Sequence, residues 1–170
     1  MTGEGGAERR ATFAVLVDNE PGVLHRLVGL FAARGYNIET LTVAETDHAE
    51  HVSRITVVSR GTAAILRQIH AQLEKMVAVR SVSDIGLDPL GMERELALFK
   101  VRGTGAERVE ALRVAEIFRS RVIDTTHESF IFEVTGAPSK IDGFAELMRP
   151  LGLTEVSRTG VLSIRRGADR

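Results

Sequence analysis

The feature that most constrains the fold is an order of strand and helix patterns that occurs once in each half of the chain. In the first half, alternating apolar residues at 12–17 predict a strand, and apolar residues at helical spacing over 22–34 predict a helix. Further strands are predicted at 38–44, 52–58 and 79–85, with a helix capped by Thr62 before the last of them. This βαββαβ order is typical of the ferredoxin-like α+β fold, in which both helices pack on one face of an antiparallel sheet.

The second half repeats the order with a different sequence. Strands are predicted at 96–102, 122–126, 130–135 and 155–165, and helices at 106–119 and 138–149, with Pro138 in a first helical turn. A stretch with two glycines and a proline between the halves predicts a linker. The predicted organisation is a disordered tail at 1–10, a first domain at 11–85, a linker at 86–95, a second domain at 96–166 and a tail at 167–170. Domains this small bury a limited share of their surface, so we expect an oligomer.

Two segments of the first half read together as a binding site for a free amino acid. Asp18–Leu24 joins the first strand to the first helix, where backbone N–H groups can point at a carboxylate. The side-chain carbonyls of Asn19 and Asn37 can accept hydrogen bonds from an ammonium group. Val23, Leu24 and Ile38 can line a small apolar pocket. The same residues also fit ordinary helix caps, a helix stop and strand packing, and the pattern alone leaves both interpretations open.

Composition excludes several classes of protein. Twenty-two basic and 23 acidic residues give a net charge of −1, which argues against a general phosphate-backbone binder. The 170 residues include no cysteine, which excludes disulfides, thiolate metal sites and a cysteine nucleophile. The first ten residues lack the apolar segment of a signal peptide, and no apolar run approaches the roughly 20 residues that cross a bilayer. We therefore expect a cytoplasmic protein.

The motifs resemble those of a known family. Residues 34–43 read R-G-Y-N-I-E-T-L-T-V and follow Asn19–Gly22, and this combination is similar to the ACT domain of the acetolactate synthase small subunits. The second half resembles the C-terminal domain of the same family at 94–98, 116–119 and 155–160. The likeness covers nearly the whole chain after the tail, and its paired motifs are much more specific than an N-x-P-G pattern alone.

The resemblance implies a non-catalytic regulatory subunit. Such a chain would bind a large, thiamine diphosphate-dependent catalytic subunit, raise its activity and confer feedback inhibition by valine or another branched-chain amino acid. It would form a homodimer with the effector where two ACT domains meet. It would hold no cofactor of its own, since thiamine diphosphate, Mg and FAD belong to the catalytic partner. The implied effector contacts are backbone amides of Gly22, Val23 and Leu24 on the carboxylate, Asn19 and Asn37 on the amine, and Ile38 and Thr42 in the pocket wall.

Other functions have weaker support in the sequence. Gly103–Gly105 lies between a strand and a helix, but Arg108 stands where a dinucleotide loop needs its third glycine. His48 and His51 are close enough in sequence to ligate a metal, but no recognised pattern of metal ligands accompanies them, and a solvated hairpin loop is the favoured interpretation. A free-standing ACT-type sensor of some other protein remains the main alternative. The second domain shows no convergent polar cluster and reads as a dimerisation or assembly module.

Overall fold

The computed structural model describes residues 7–168. These residues divide into two compact units, of which the first contains 7–92 together with 161–168 and the second contains Glu93–Gly160. Each unit is an antiparallel sheet with two helices, so the predicted α+β class and the repeated order are confirmed. No helix in the described part of the chain is long and apolar enough to cross a membrane.

The first unit follows the predicted βαββαβ order. Its elements are β1 (Arg9–Asp18), α1 (Val23–Ala33), β2 (Thr40–Asp47), β3 (Val52–Gly61), α2 (Ala63–Glu74) and β4 (Val79–Asp84). The strands lie in the order β2-β3-β1-β4 and are antiparallel. Apolar residues four apart on each helix, such as Leu27 and Phe31 of α1, pack against alternate residues of β1 and β3. Thr62 caps α2 as predicted, because its side chain accepts a hydrogen bond from the Ile65 amide.

The second unit repeats this arrangement. Its elements are β5 (Gly91–Arg102), α3 (Gly105–Ile117), β6 (Arg121–Thr125), β7 (Ser129–Gly136), α4 (Pro138–Met148), a 3-10 turn (Arg149–Leu151) and β8 (Leu153–Arg158). The strand order is β6-β7-β5-β8. The rings of Phe99 and Phe132 each pack edge-to-face against Phe144, and all three side chains are fully buried. Pro138 occupies the first turn of α4, as expected.

Two predicted boundaries at the start of the domains differ from the structure. The sequence predicts that Arg9 and Arg10 belong to a disordered tail, but they belong to β1 and pair with Gly61 and Arg60 of β3. The backbone hydrogen bonds of β3 therefore extend the strand beyond its apolar core. The predicted linker at 86–95 is shorter in the structure, because β5 already begins at Gly91. The rest of the predicted first tail, at 1–6, lies outside the described residues.

The end of the chain also departs from the prediction. The single strand predicted at 155–165 is divided into β8 and a separate β9 (Leu162–Arg165), because Gly160 adopts a left-handed φ of 83° between them. Residues 161–168 belong to the first unit, whereas the sequence predicts a second domain that reaches 166.

This returning segment packs on the first unit. The Thr42 hydroxyl donates to the Val161 carbonyl at 3.1 Å, and the Arg54 guanidinium donates to the Ser163 carbonyl at 2.8 Å. Thr42 pairs with Thr56 in the β2–β3 ladder, and the neighbouring pair Leu41 and Val57 faces the helices. Since side chains alternate along a strand, Thr42 lies on the helix-free face of the sheet. The C-terminal segment therefore covers part of this face.

Candidate functional site

The start of α1 offers backbone donors without a capping side chain. Gly22 is the N-cap residue, its φ is 85°, and no side chain caps the helix. The first intrahelical bond runs from the Arg26 amide to the Gly22 carbonyl, so the amides of Leu24 and His25 have no acceptor within the helix. The Val23 amide makes a long turn bond of 3.4 Å to the Glu20 carbonyl. Free amides and the positive end of the helix dipole together favour an anion at this position.

Asn19 lies directly beside this helix start. Its backbone amide donates to the carbonyl of His51 in the β2–β3 hairpin at 2.7 Å, while the residue itself is exposed. Arg80 of β4 also stabilises this region, because it donates hydrogen bonds to Asp18 at 2.6 Å and to the Glu50 carbonyl at 3.2 Å. The hydrogen bond to Asp18 raises the pKa of Arg80 above its ordinary value. The loop that presents Asn19 is thus tied to β4 and to the β2–β3 hairpin.

Asn37 lies in the connection between α1 and β2. Its carbonyl accepts a hydrogen bond of 2.7 Å from the hydroxyl of Ser59, and the nearby Glu39 amide donates to the Val58 carbonyl at 2.8 Å. The residue is exposed and lines an open cleft of about 680 Å³ with Tyr36, among other residues. None of the hydrogen bonds found among residues 7–168 involves the Asn37 side-chain amide. That amide is available to a ligand.

Within one chain, the two asparagines lie at opposite ends of the sheet. Asn19 contacts His51, just before β3 begins, whereas Asn37 contacts Ser59 near the end of the same strand. His51 and Ser59 are eight positions apart in the sequence, a separation of about 25 Å at the rise of a β-strand. This is several times the length of a free α-amino acid. A single chain therefore does not bring the two predicted amine ligands together.

The predicted pocket-lining residues divide between different surfaces. Val23 is 4% exposed and packs in the core with Leu27, so its side chain cannot line the pocket as predicted. Leu24, one position later on α1, is 40% exposed and remains available at the helix start. Ile38 is half-buried against the same core, next to Asn37. Thr42 lies on the helix-free face, bonded to the C-terminal segment, so one chain does not place it beside the other predicted contacts.

Gly22 adopts a backbone conformation that favours glycine. A Cβ atom built on it meets nothing within 4 Å in this chain, so crowding by the chain itself does not exclude a side chain. Its φ of 85° is the constraint, since this left-handed conformation costs an L-residue about 1–2 kcal/mol. The open space beside Gly22 leaves room for a ligand at the exposed amides.

The histidines of the hairpin pair with a carboxylate. His48 Nδ1 lies 2.8 Å from Glu45, and His51 Nδ1 lies 4.0 Å from it. No group of three metal-ligating side chains converges anywhere in residues 7–168. In the second unit, Gly103–Gly105 connects β5 directly to α3, and β5 runs antiparallel to β7 and to β8. This connection is not part of the parallel unit that a dinucleotide loop requires.

The second unit contains one buried charged cluster. The carboxylate of Glu95 is fully buried and accepts two hydrogen bonds from Arg158, at 2.7 and 2.6 Å. Arg158 also donates to Asp142 at 2.7 Å, and these partners raise its pKa. Glu95 lies near the start of this unit and Arg158 near its end, so the ion pair links the two ends of the unit. We regard this cluster as structural.

Comparison with known proteins gives the same family over both units. Residues 13–81 match the family described as the AHAS small subunit-like ACT domain, and residues 94–167 match the family described as the small subunit of acetolactate synthase. A probable acetolactate synthase small subunit of Archaeoglobus fulgidus is 43% identical over 92% of this chain and 96% of its own length. The acetolactate synthase isozyme 3 small subunit of Escherichia coli is 42% identical over 93% and 96%, respectively.

A solved structure supports the same family. The crystal structure of the acetolactate synthase small subunit from Thermotoga maritima superposes with a TM-score of 0.81 at 37% identity, and it covers 95% of this chain and 99% of that one.

Proposed function

This chain belongs to the acetolactate synthase small-subunit family, and we propose that it is the regulatory subunit of that enzyme. In this role it binds the catalytic subunit, raises its activity and makes it subject to feedback inhibition by valine or another branched-chain amino acid. The observation that carries the proposal is the uncapped start of α1, with free amides beside the exposed Asn19. An α-amino acid brings both a carboxylate for the amides and an ammonium group for the asparagine carbonyl.

A dimer accounts for the distance between the two asparagines. β2 is an outer strand, and in the described part of the chain it pairs only with β3. Its start at Thr40 lies at the Asn37 end of the sheet, and its end at Asp47 lies at the Asn19 end. If the β2 strands of two chains pair antiparallel around a two-fold axis, the start of each strand meets the end of the other. Asn37 of one chain then approaches Asn19 and Gly22 of the second, in two equivalent sites.

The surface beside β2 suits such pairing. Val43 of β2 is 47% exposed, and Leu24 and Val28, which are four residues apart on α1, are also exposed. An edge strand with unpaired backbone groups and apolar side chains is a natural template for a second copy. The same geometry supplies apolar walls for an aliphatic effector side chain. This supports the proposed homodimer and the preference for a branched-chain amino acid.

We also propose that the chain is non-catalytic. The groups at the site are backbone amides and neutral carboxamides, which bind and orient a ligand but supply neither a nucleophile nor a proton-transfer base. Thiamine diphosphate, Mg and FAD belong to the catalytic partner in this proposal. A ligand inhibits only if it favours one state over another, so the effector must bind more tightly to the less activating arrangement of the complex.

Reconstitution tests the proposed function. The acetolactate synthase catalytic subunit of the same organism is assayed alone, with this chain, and with this chain plus valine, leucine or isoleucine. We expect activation by the chain, and inhibition by a branched-chain amino acid only when the chain is present. A catalytic subunit that is indifferent to the chain would overturn the assignment. If the chain nevertheless bound valine, it would instead be a free-standing amino-acid sensor.

A further inference from the structure

We propose that Ser59 is a positioning residue of the effector site, which holds Asn37 in the orientation that binds the amine. The inference rests on the proposed function, because it needs Asn37 to be an effector ligand. Ser59 touches no part of the effector in this account. It acts through the backbone of Asn37.

The contact is short, and its serine is fully buried. The Ser59 hydroxyl donates to the Asn37 carbonyl at 2.7 Å, and the Ser59 side chain is 0% exposed. Ser59 continues the series Ile55 and Val57, which faces the helices from β3. A hydroxyl at such a position needs a partner, since a buried polar group without one is costly. The Asn37 carbonyl is the acceptor that the fold supplies.

The residues on either side of Asn37 are held independently. The Tyr36 ring packs edge-to-face on Phe31 with centroids 5.9 Å apart, and its hydroxyl donates to Gln68 at 3.3 Å. On the other side, the Glu39 amide donates to the Val58 carbonyl. Between these anchors, the carbonyl of Asn37 is held by Ser59. The serine hydroxyl thus determines how the peptide unit at Asn37 is turned.

The orientation of this peptide unit matters for the exposed carboxamide. The Asn37 side chain leaves the backbone at the same residue, so rotation of the peptide unit redirects it. Binding groups have to be held within about 0.5 Å and 10–20° of their productive geometry. Loss of the hydroxyl removes the donor from a carbonyl that the fold places against β3. The connection then rearranges, and Asn37 no longer points consistently at the amine.

The test compares two side chains of the same shape. Ser59→Thr keeps the hydroxyl, whereas Ser59→Val replaces it by a methyl group of similar size. We expect Ser59→Val to weaken valine binding about tenfold and Ser59→Thr to bind like the natural chain. Activation of the catalytic subunit should persist in both variants. Ser163→Ala is the matched control, because Ser163 is a buried serine of the same unit whose hydroxyl has no hydrogen-bond partner, and it should leave valine affinity unchanged.

A spectroscopic measurement separates positioning from general destabilisation. The sequence contains two asparagines, so their side-chain NH₂ signals can be assigned by substitution. Ser59→Val should shift the signals of Asn37 and leave those of Asn19 in place, and Ser59→Ala provides the same measurement if the valine variant does not fold. Equal valine affinity of the Thr and Val variants would overturn the inference. If Asn37→Ala itself left valine affinity unchanged, the proposed function would fail instead.

Discussion

Removal of the Asn37 carboxamide should weaken effector binding without unfolding the protein. The side chain is exposed, and Ser59 holds only the backbone carbonyl of this residue, so Asn37→Ala should change the free energy of unfolding by less than about 0.5 kcal/mol. A hydrogen bond to a charged ammonium group contributes roughly 1 to 3 kcal/mol to binding. We therefore expect the Kd for valine to rise about 5- to 150-fold.

Calorimetry with valine and a thermal melt of the same sample measure the two quantities. Gln72→Ala is a suitable control, because it removes another carboxamide of the first unit, one that accepts a hydrogen bond from Arg34. The control should bind valine like the natural chain. Unchanged valine affinity in Asn37→Ala, with a normal melt, would refute the role of Asn37 as an amine ligand.

Three further substitutions have defined outcomes. Gly22→Asp should abolish feedback inhibition while activation persists, because a carboxylate would stand at the anion position. Gly22→Asn has the same shape without the charge, so the complex should retain weak feedback inhibition by valine. Equal valine sensitivity of the two variants would disprove charge repulsion. Burial raises the pKa of Asp84, so the folded state disfavours its charged form. Asp84→Asn should therefore raise the Tm at pH 7, and this gain in Tm should vanish as the pH falls below the ordinary carboxyl pKa. A gain in Tm that is the same at every pH would contradict a raised pKa of Asp84. Glu95→Gln should lower the stability of the second unit by about 2 kcal/mol in denaturant unfolding and leave valine affinity unchanged.

Local patterns were sufficient to predict most of the fold. The alternation at 12–17 and the helical spacing at 22–34 correspond to β1 and α1, and Thr62 and Pro138 start α2 and α4 as their chemistry requires. These features depend on neighbours in the sequence. The extension of β1 to Arg9 does not depend on sequence neighbours, because it arises from backbone pairing with β3. The polar side chains of this segment give no sign of that pairing.

The site was less predictable for the same reason. Helix phase decides that Val23 turns into the core with Leu27 while Leu24 stays outside, and both residues are apolar. The distance between Asn19 and Asn37 depends on which ends of β3 they contact, which no local pattern contains. Ser59 was missed altogether. A polar residue in the inward series of β3 was the available signal, but its partner became visible only in the folded chain.

Mixed dimers test the shared effector site most directly. Asn37→Ala and Gly22→Asp chains are co-expressed with different tags, and valine binding is measured for each pure dimer and for the mixture. If each site takes Asn37 from one chain and the helix start from the other, every mixed dimer has one doubly altered site and one natural site. Random pairing then restores natural valine affinity at about a quarter of all sites, although neither pure dimer has any site of natural affinity. A mixture with no site of natural affinity would show that each chain builds its site alone, and would contradict this account.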